Sequence, residues 1–285
     1  MDHNNESSLH LPFTRKLNIK SQYNQENYNI FIRVPNDYAT CGKHYPIAVV
    51  LDPNFLFSSL YGINSVAQNY IICGIGHDNV DFCAFSLNEK RATSEIARAR
   101  DFLPFKLDPN IFIETAPVDL TNRTLSESGR ADDFILFIKN QVMPFLQSNF
   151  RANNSSTIVG HSFGGVFVSF VLLKFPEIFN NYIAISPILD PRFYTQKDMF
   201  GSNAPKFETS SSKMNVYMAL GSLENDDRTA NYLQRLELEC LKITRHAQVN
   251  GKFELIEGED HVSVALSGML RGFRFINEQV DGEKI

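Results

Sequence analysis

Apolar positions along this chain switch between two spacings, and the switches mark its elements. Tyr28 to Val34 alternates and stops at Pro35, which predicts an antiparallel edge strand. Tyr45-Pro-Ile-Ala-Val-Val-Leu51 is a continuous run closed by Asp52-Pro53, the pattern of a parallel strand buried on both faces. Tyr70–Ile75, Thr157–Val159, Tyr182–Ile185, Val216–Leu220 and Phe253–Ile256 predict further strands. Between them the spacing turns helical. Glu127 to Phe150 carries Phe134, Ile135, Ile138, Val142, Phe145 and Leu146 at helical intervals. Phe163 to Phe175 is apolar all round and is stopped by Pro176. A third helix is expected from Asp227 to about Thr244. In the last, Val262, Leu266, Met269, Leu270, Phe273 and Ile276 share one face, with Arg271 and Arg274 opposite. Strands alternating with helices imply a mostly parallel sheet covered on both faces. Asn79 to Thr124 fits this pattern poorly and reads as long loops and short helices over one end of the sheet, where functional residues collect.

No repeat or Pro/Gly-rich linker divides the chain, so residues 13–285 read as one α/β domain behind a flexible tail, residues 1–12. Of 285 residues, 43% are hydrophobic and 21% charged, which argues against disorder. The net charge of −5 suits neither a nucleic-acid backbone nor an anionic membrane surface. The longest apolar stretch, Val166 to Leu173, is far short of the ~20 residues of a membrane span. The polar, acidic N-terminal sequence lacks a signal-peptide pattern, so the expectation is a soluble, cytoplasmic protein. Twenty-four Phe against no Trp suggest a large apolar interior or pocket. Cys41, Cys73, Cys83 and Cys240 have no metal-ligand spacing and read as small hydrophobes; no metal or other cofactor is implied. The oligomeric state is not legible.

Chemistry enters at Gly160-His161-Ser162-Phe163-Gly164. A strand pattern precedes this Gly-x-Ser-x-Gly run and a helix pattern follows it, the setting of a nucleophile elbow. A β-carbon at 160 or 164 would collide with the neighbouring elements, and the turn lifts the Ser162 hydroxyl clear of the sheet. A serine needs a base to take its proton. With a Ser, acid, His order, His246 and His261 are the available histidines. His246 falls near a helix C-terminus, whereas His261 follows a strand and the turn Glu257 to Asp260, so His261 is the expected base. Glu224, after the strand Val216–Leu220, is the best-placed acid; Asp226 and Asp227 are alternatives that also suit a helix start. Main-chain N–H groups of Phe163 and Asn54 are the expected oxyanion donors, with Phe55 as substitute, since Pro53 cannot donate. Arg100 could bind an anionic substrate group or form a surface salt bridge.

With these residues in view, the chain resembles the esterase-D-like branch of the α/β-hydrolases, the "putative esterase" family. The resemblance rests on the oxyanion loop ending at Asn54, Gly74-Ile-Gly76, Arg100-Asp-Phe-Leu-Pro104, Gly160 to Gly165, Ser186-Pro187, Gly221-Ser-Leu-Glu224 and Gly258-Glu-Asp-His261. It is nearest to the siderophore-esterase-like and feruloyl-esterase-like subgroups. Two positions depart from the pattern: Pro53 stands for the usual Gly, and Ile188 follows Ser186-Pro187 where members cleaving bulky catecholate lactones often carry Trp. The resemblance implies an α/β-hydrolase fold with antiparallel N-terminal edge strands and a serine carboxyl-ester hydrolase working through an acyl-enzyme. Its partner would be a small-molecule ester, either a siderophore-type lactone or an aryl ester, met by Phe55, Arg100, Pro187 and Leu189. An acyltransferase with the same three residues, or a non-catalytic binding homologue, would carry the same sequence signals.

Overall fold

Main-chain pairing in the computed structural model, which describes residues 11–57, 59–78, 96–107, 127–189, 213–224 and 231–282, builds one eight-stranded sheet. Its strands are β1 (Thr14–Lys20), β2 (Asn27–Arg33), β3 (Tyr45–Leu51), β4 (Ile71–His77), β5 (Ala152–His161), β6 (Asn181–Ile185), β7 (Met214–Gly221) and β8 (Val249–Ile256). They lie in the order β1-β2-β4-β3-β5-β6-β7-β8. The β1/β2 and β2/β4 pairs are antiparallel and the rest parallel. The expected edge strand, β2, is therefore interior. It pairs with β1 on one side and β4 on the other, and β1, with its half-exposed polar positions, forms the edge. Pro35 merely ends β2, because it lies beyond the last paired residue, Arg33.

Alternate residues of the central strands feed two cores. Val49 and Leu51 of β3 face one, Ala48 and Val50 the other. The second core is roofed by the short helices α1 (Pro53–Leu56), α2 (Ser59–Gly62) and α3 (Asn64–Ala67) and by α8 (Val264–Gly282). The first lies under α4 (residues 96–102), α5 (131–149), α6 (Phe163–Lys174) and α7 (Tyr232–Thr244). Phenylalanines fill that first core. Phe134 touches the rings of Tyr28, Phe102, Phe137 and Phe167, and all five are fully buried. Burying a side chain of this size contributes about 1.5–3 kcal/mol, so the aromatic excess reports a packed interior.

Two of the long helices, α5 and α8, differ in detail from their patterns. α5 is α-helical over Ala131–Phe137 and Met143–Asn149 but passes through a π turn at Ile138–Val142. Pro144 accounts for the widening: it offers no N–H and its ring crowds the preceding turn, and the Met143 N–H reaches back five residues to the Ile138 carbonyl. α6 is buried from Gly164 to Leu173, as an apolar-all-round segment requires. In α8 the buried face runs through Val264, Met269, Phe273 and Ile276, while Val262 precedes the helix and, like Leu266, is exposed. Among the described residues no helix is long and apolar enough to cross a membrane. The segments 1–10, 79–95 and 108–126 lie outside the described residues, and with them Cys83, most of the proposed tail and most of the Asn79–Thr124 region.

Candidate active site

Parallel strands deliver their following turns to one edge of the sheet, and the chemistry-bearing residues gather there. β5 ends at His161, Ser162 turns the corner, and α6 starts at Phe163. Ser162 sits at φ 58°, ψ −120°, a backbone region that costs a non-glycine residue on the order of 1–3 kcal/mol. The buried apolar side chains of α6 outweigh that cost several-fold. The corner is also pinned by the Ser162 N–H, which donates to the Ile185 carbonyl at 2.9 Å.

Gly160 allows the crossing: a β-carbon there would stand 2.2 Å from the Gly164 carbonyl oxygen. At Gly164 the expected collision is absent, since a β-carbon would make ordinary contacts at 3.5 Å with Asp52 and Leu51. The tight second position is Gly165, where it would lie 2.8 Å from the Ile185 carbonyl oxygen. The helix leans on β6 one residue later than the motif suggests.

Ser162, His261 and Glu224 come together in one relay. The His261 Nε2 is 3.0 Å from the Ser162 Oγ, and its Nδ1 is 2.8 Å from the Glu224 Oε2. Glu224 is buried, and its other oxygen accepts from the Gly221 N–H at 2.6 Å and from the Ser186 hydroxyl at 2.5 Å. The carboxylate thus has fixed donors on both sides. Ser186, itself at φ 42°, is a residue that sequence reasoning missed in this role; only its place in the Ser186-Pro187 pair marked it. His246 lies at the far end of the sheet, beyond α7 and before β8. It is separated from His261 by all of β8, roughly 25 Å at ~3.3 Å per residue. Asp226 and Asp227 lie outside the described residues.

β3 and β5 are parallel neighbours, aligned through Val50 and Val159, so the turns after them emerge side by side. One presents Phe163 at the start of α6; the other presents Pro53, Asn54 and Phe55 in the single turn α1. Arg98 of α4, also missed from sequence, bridges the two. Its guanidinium grips the buried Asp52 carboxylate through Nε and Nη2 at 3.1 to 3.2 Å and lies 5.5 Å from the centre of the Phe163 ring. Asp52 stands at φ 51°, and this ion pair holds its turn in place.

The structure does not bring Arg100 to this edge as a substrate contact, nor leave it as a surface ion pair. Two residues along a helix lie about 200° apart, and Arg100 points the other way from Arg98. It is buried, with Nε and Nη2 both 2.8 Å from Asp101 and Nη1 2.9 Å from Glu26. Leu189 is likewise taken up by the first core, and Pro187 is buried against Gly165 at the start of α6.

Residues 109–262 match the family described as "Putative esterase". The chain is 27% identical over 279 residues to the ferri-bacillibactin esterase BesA of Bacillus subtilis (strain 168), covering 93% of this chain and 90% of that protein. Two solved structures superpose closely. The siderophore hydrolase EstA from Aspergillus nidulans gives a TM-score of 0.73 at 20% identity, covering 98% of this chain and 99% of that one. The BES protein from Bacillus cereus gives 0.72 at 22% identity, covering 95% and 98%. With the strand order above, these likenesses establish the α/β-hydrolase fold.

Proposed function

Since the chain belongs to the "Putative esterase" family and is a carboxylic ester hydrolase, we propose that it cleaves siderophore-type esters through a Ser162 acyl-enzyme. The relay Glu224, His261, Ser162 carries this reading: each contact is within 3.0 Å, in the order that proton transfer requires. His261 Nε2 takes the hydroxyl proton as Ser162 Oγ attacks the ester carbonyl carbon. Glu224 keeps the Nδ1 proton in place and stabilises the imidazolium that forms. Negative charge gathers on the former carbonyl oxygen, towards the N–H groups of Phe163 and Asn54. The tetrahedral intermediate expels the alcohol, which leaves with the proton from Nε2. Water then attacks the acyl-Ser162 ester, giving its proton to Nε2, and the acid departs as Ser162 is reprotonated.

The substrate class comes from the relatives. One is named a ferri-bacillibactin esterase and another a siderophore hydrolase, and the first matches nearly end to end. A panel comprising a tris-catecholate trilactone, an aryl ester and p-nitrophenyl esters of graded chain length tests it, with Ser162→Ala alongside. The trilactone is expected to give the highest kcat/KM, and Ser162→Ala to lose on the order of 10³-fold or more in kcat. Highest efficiency on a simple aryl ester would overturn the substrate class. Retention of a tenth of the rate in Ser162→Ala would overturn the nucleophile, and transfer of the acyl group to added alcohols in preference to water would make the protein an acyltransferase.

A further inference from the structure

A second imidazole stands beside the serine, and the steps above do not use it. His161 closes β5, one residue before Ser162. Its ring packs on that of His261 with centroids 4.9 Å apart and planes inclined by 41°. Its Nε2 is 2.6 Å from the main-chain oxygen of His261. A carbonyl oxygen can only accept, so His161 carries its proton on Nε2 and donates it.

We infer that His161 is a positioning residue: it ties the loop bearing the base to the strand bearing the nucleophile and thereby sets the span between His261 and Ser162. The inference rests on the roles given above to Ser162 and His261. The topology shows why a tie is needed. Ser162 follows β5 and His261 follows β8, with β6 and β7 between them. At about 4.8 Å per strand, the two strand ends stand roughly 14 Å apart.

The loop from Glu257 to Ser263 is braced in other ways, but these hold it to itself and to the β7 side. The Asp260 carboxylate accepts from the N–H groups of Val262 and Ser263, and the Glu259 carbonyl accepts from the Leu223 N–H. None of these three bonds reaches β5. His161 reaches it with a short hydrogen bond to the main chain of the base itself and with a ring that limits tilt of the His261 imidazole.

The neighbour must also stay out of the proton's path. Burial, reinforced by the adjacent His261 and Arg98 charges, pushes His161 down to about 3, against the opposing effect of its bond to the carbonyl. It therefore remains a neutral donor while His261 gains and loses its proton.

Three substitutions separate the parts of this arrangement. His161→Phe keeps an aromatic ring but no donor, His161→Gln keeps a donor amide but no ring, and His161→Ala keeps neither. A misplacement of about 1 Å at a reacting group can lower rates by up to about 10²-fold. His161→Phe and His161→Ala are accordingly expected to lose at least about tenfold in kcat with KM within about twofold, and His161→Gln to recover part of the loss. Labelling of Ser162 by a fluorophosphonate, measured on samples matched for folded fraction, is expected to slow in the same ranking. On the wild-type protein, histidine-selective 15N NMR is expected to show His161 protonated on Nε2 only, from pH 5 to 9. Wild-type kcat in His161→Phe, a rise in KM with kcat unchanged, or a His161 ring that titrates within that range would overturn the inference. Ser162→Ala run in parallel keeps the two readings apart. If it retains activity, the catalytic assignment falls; if it is inactive while His161→Phe is normal, only the role of His161 falls.

Discussion

Glu224 illustrates how one side chain is held by groups scattered through the sequence. Ser186 follows β6, Gly221 ends β7 and His261 follows β8, yet all three donate to this carboxylate. A carboxamide cannot serve all of them. If Glu224→Gln keeps its oxygen towards His261, its NH2 group meets the Gly221 N–H, and two donors face each other. If it flips, the imidazole loses its acceptor and adopts the wrong tautomer. Glu224→Gln is therefore expected to lower kcat by about 10²- to 10⁴-fold with a lower thermal midpoint. Ser186→Ala, which leaves the Gly221 and His261 contacts in place, should cost far less; steady-state kinetics on one aryl ester ranks the pair. A Ser186→Ala loss as large as that of Glu224→Gln would mean the carboxylate depends on the hydroxyl for its placement.

Among the elements, the turn from β5 into α6 puts its two motif glycines under unequal constraints: Gly160 is as crowded as the motif suggests and Gly164 is not. Gly160→Ala places a methyl group against main-chain atoms of residue 164, at separations that real contacts do not reach, so strand and helix must part. Gly164→Ala meets only ordinary contacts. The first variant is expected to fail to accumulate as folded protein or to lose several kcal/mol of stability. The second should remain within about 1 kcal/mol of wild type in urea unfolding. Equal stability of the two would contradict the packing of α6 across β5. The π turn in α5 is a similar case: the helical period was legible, but the widening at Ile138–Val142 depends on where Pro144 falls against the preceding turn.

Across the whole molecule, Asp101 fastens the antiparallel side of the sheet to α4. This fully buried carboxylate accepts from Arg100, from the Tyr28 hydroxyl at 2.6 Å, from His77 Nε2 at 3.0 Å and from the Asn24 amide at 3.3 Å. Arg100 continues the network to Glu26, in the turn between β1 and β2. Burial acts to raise the carboxyl, but the hydrogen bonds and charges of Arg100 and His77 outweigh it and hold Asp101 down at about 2. The unfolded value is near 3.9, so this contribution to stability is complete above about pH 4 and is lost as pH falls towards 2. Urea midpoints measured from pH 7 to pH 2.5 should therefore drop steeply below pH 4. Asp101→Asn should flatten that segment and cost about 3–5 kcal/mol at pH 7, as removal of one partner from a buried ion pair does. Parallel acid limbs for wild type and Asp101→Asn would show that the network does not act through Asp101.

The strand and helix periods, the elbow at Ser162 and the order in which Glu224 and His261 follow it are one-dimensional signals, and they were legible in the sequence because each depends on local spacing. Local spacing also identified His246 as a helix-end residue, since the Asp227–Thr244 periodicity stops just before it. What spacing cannot carry is the identity of neighbours contributed by other strands. Whether Arg98 or Arg100 faces the serine's edge depends on the rotation of α4 against β3 and α6. The partner of His161 is a carbonyl 100 residues away. β2 is interior because β1 pairs along its outer side, which no feature of β2 announces. Those choices follow from strand order and helix rotation, which are fixed only when the two cores close.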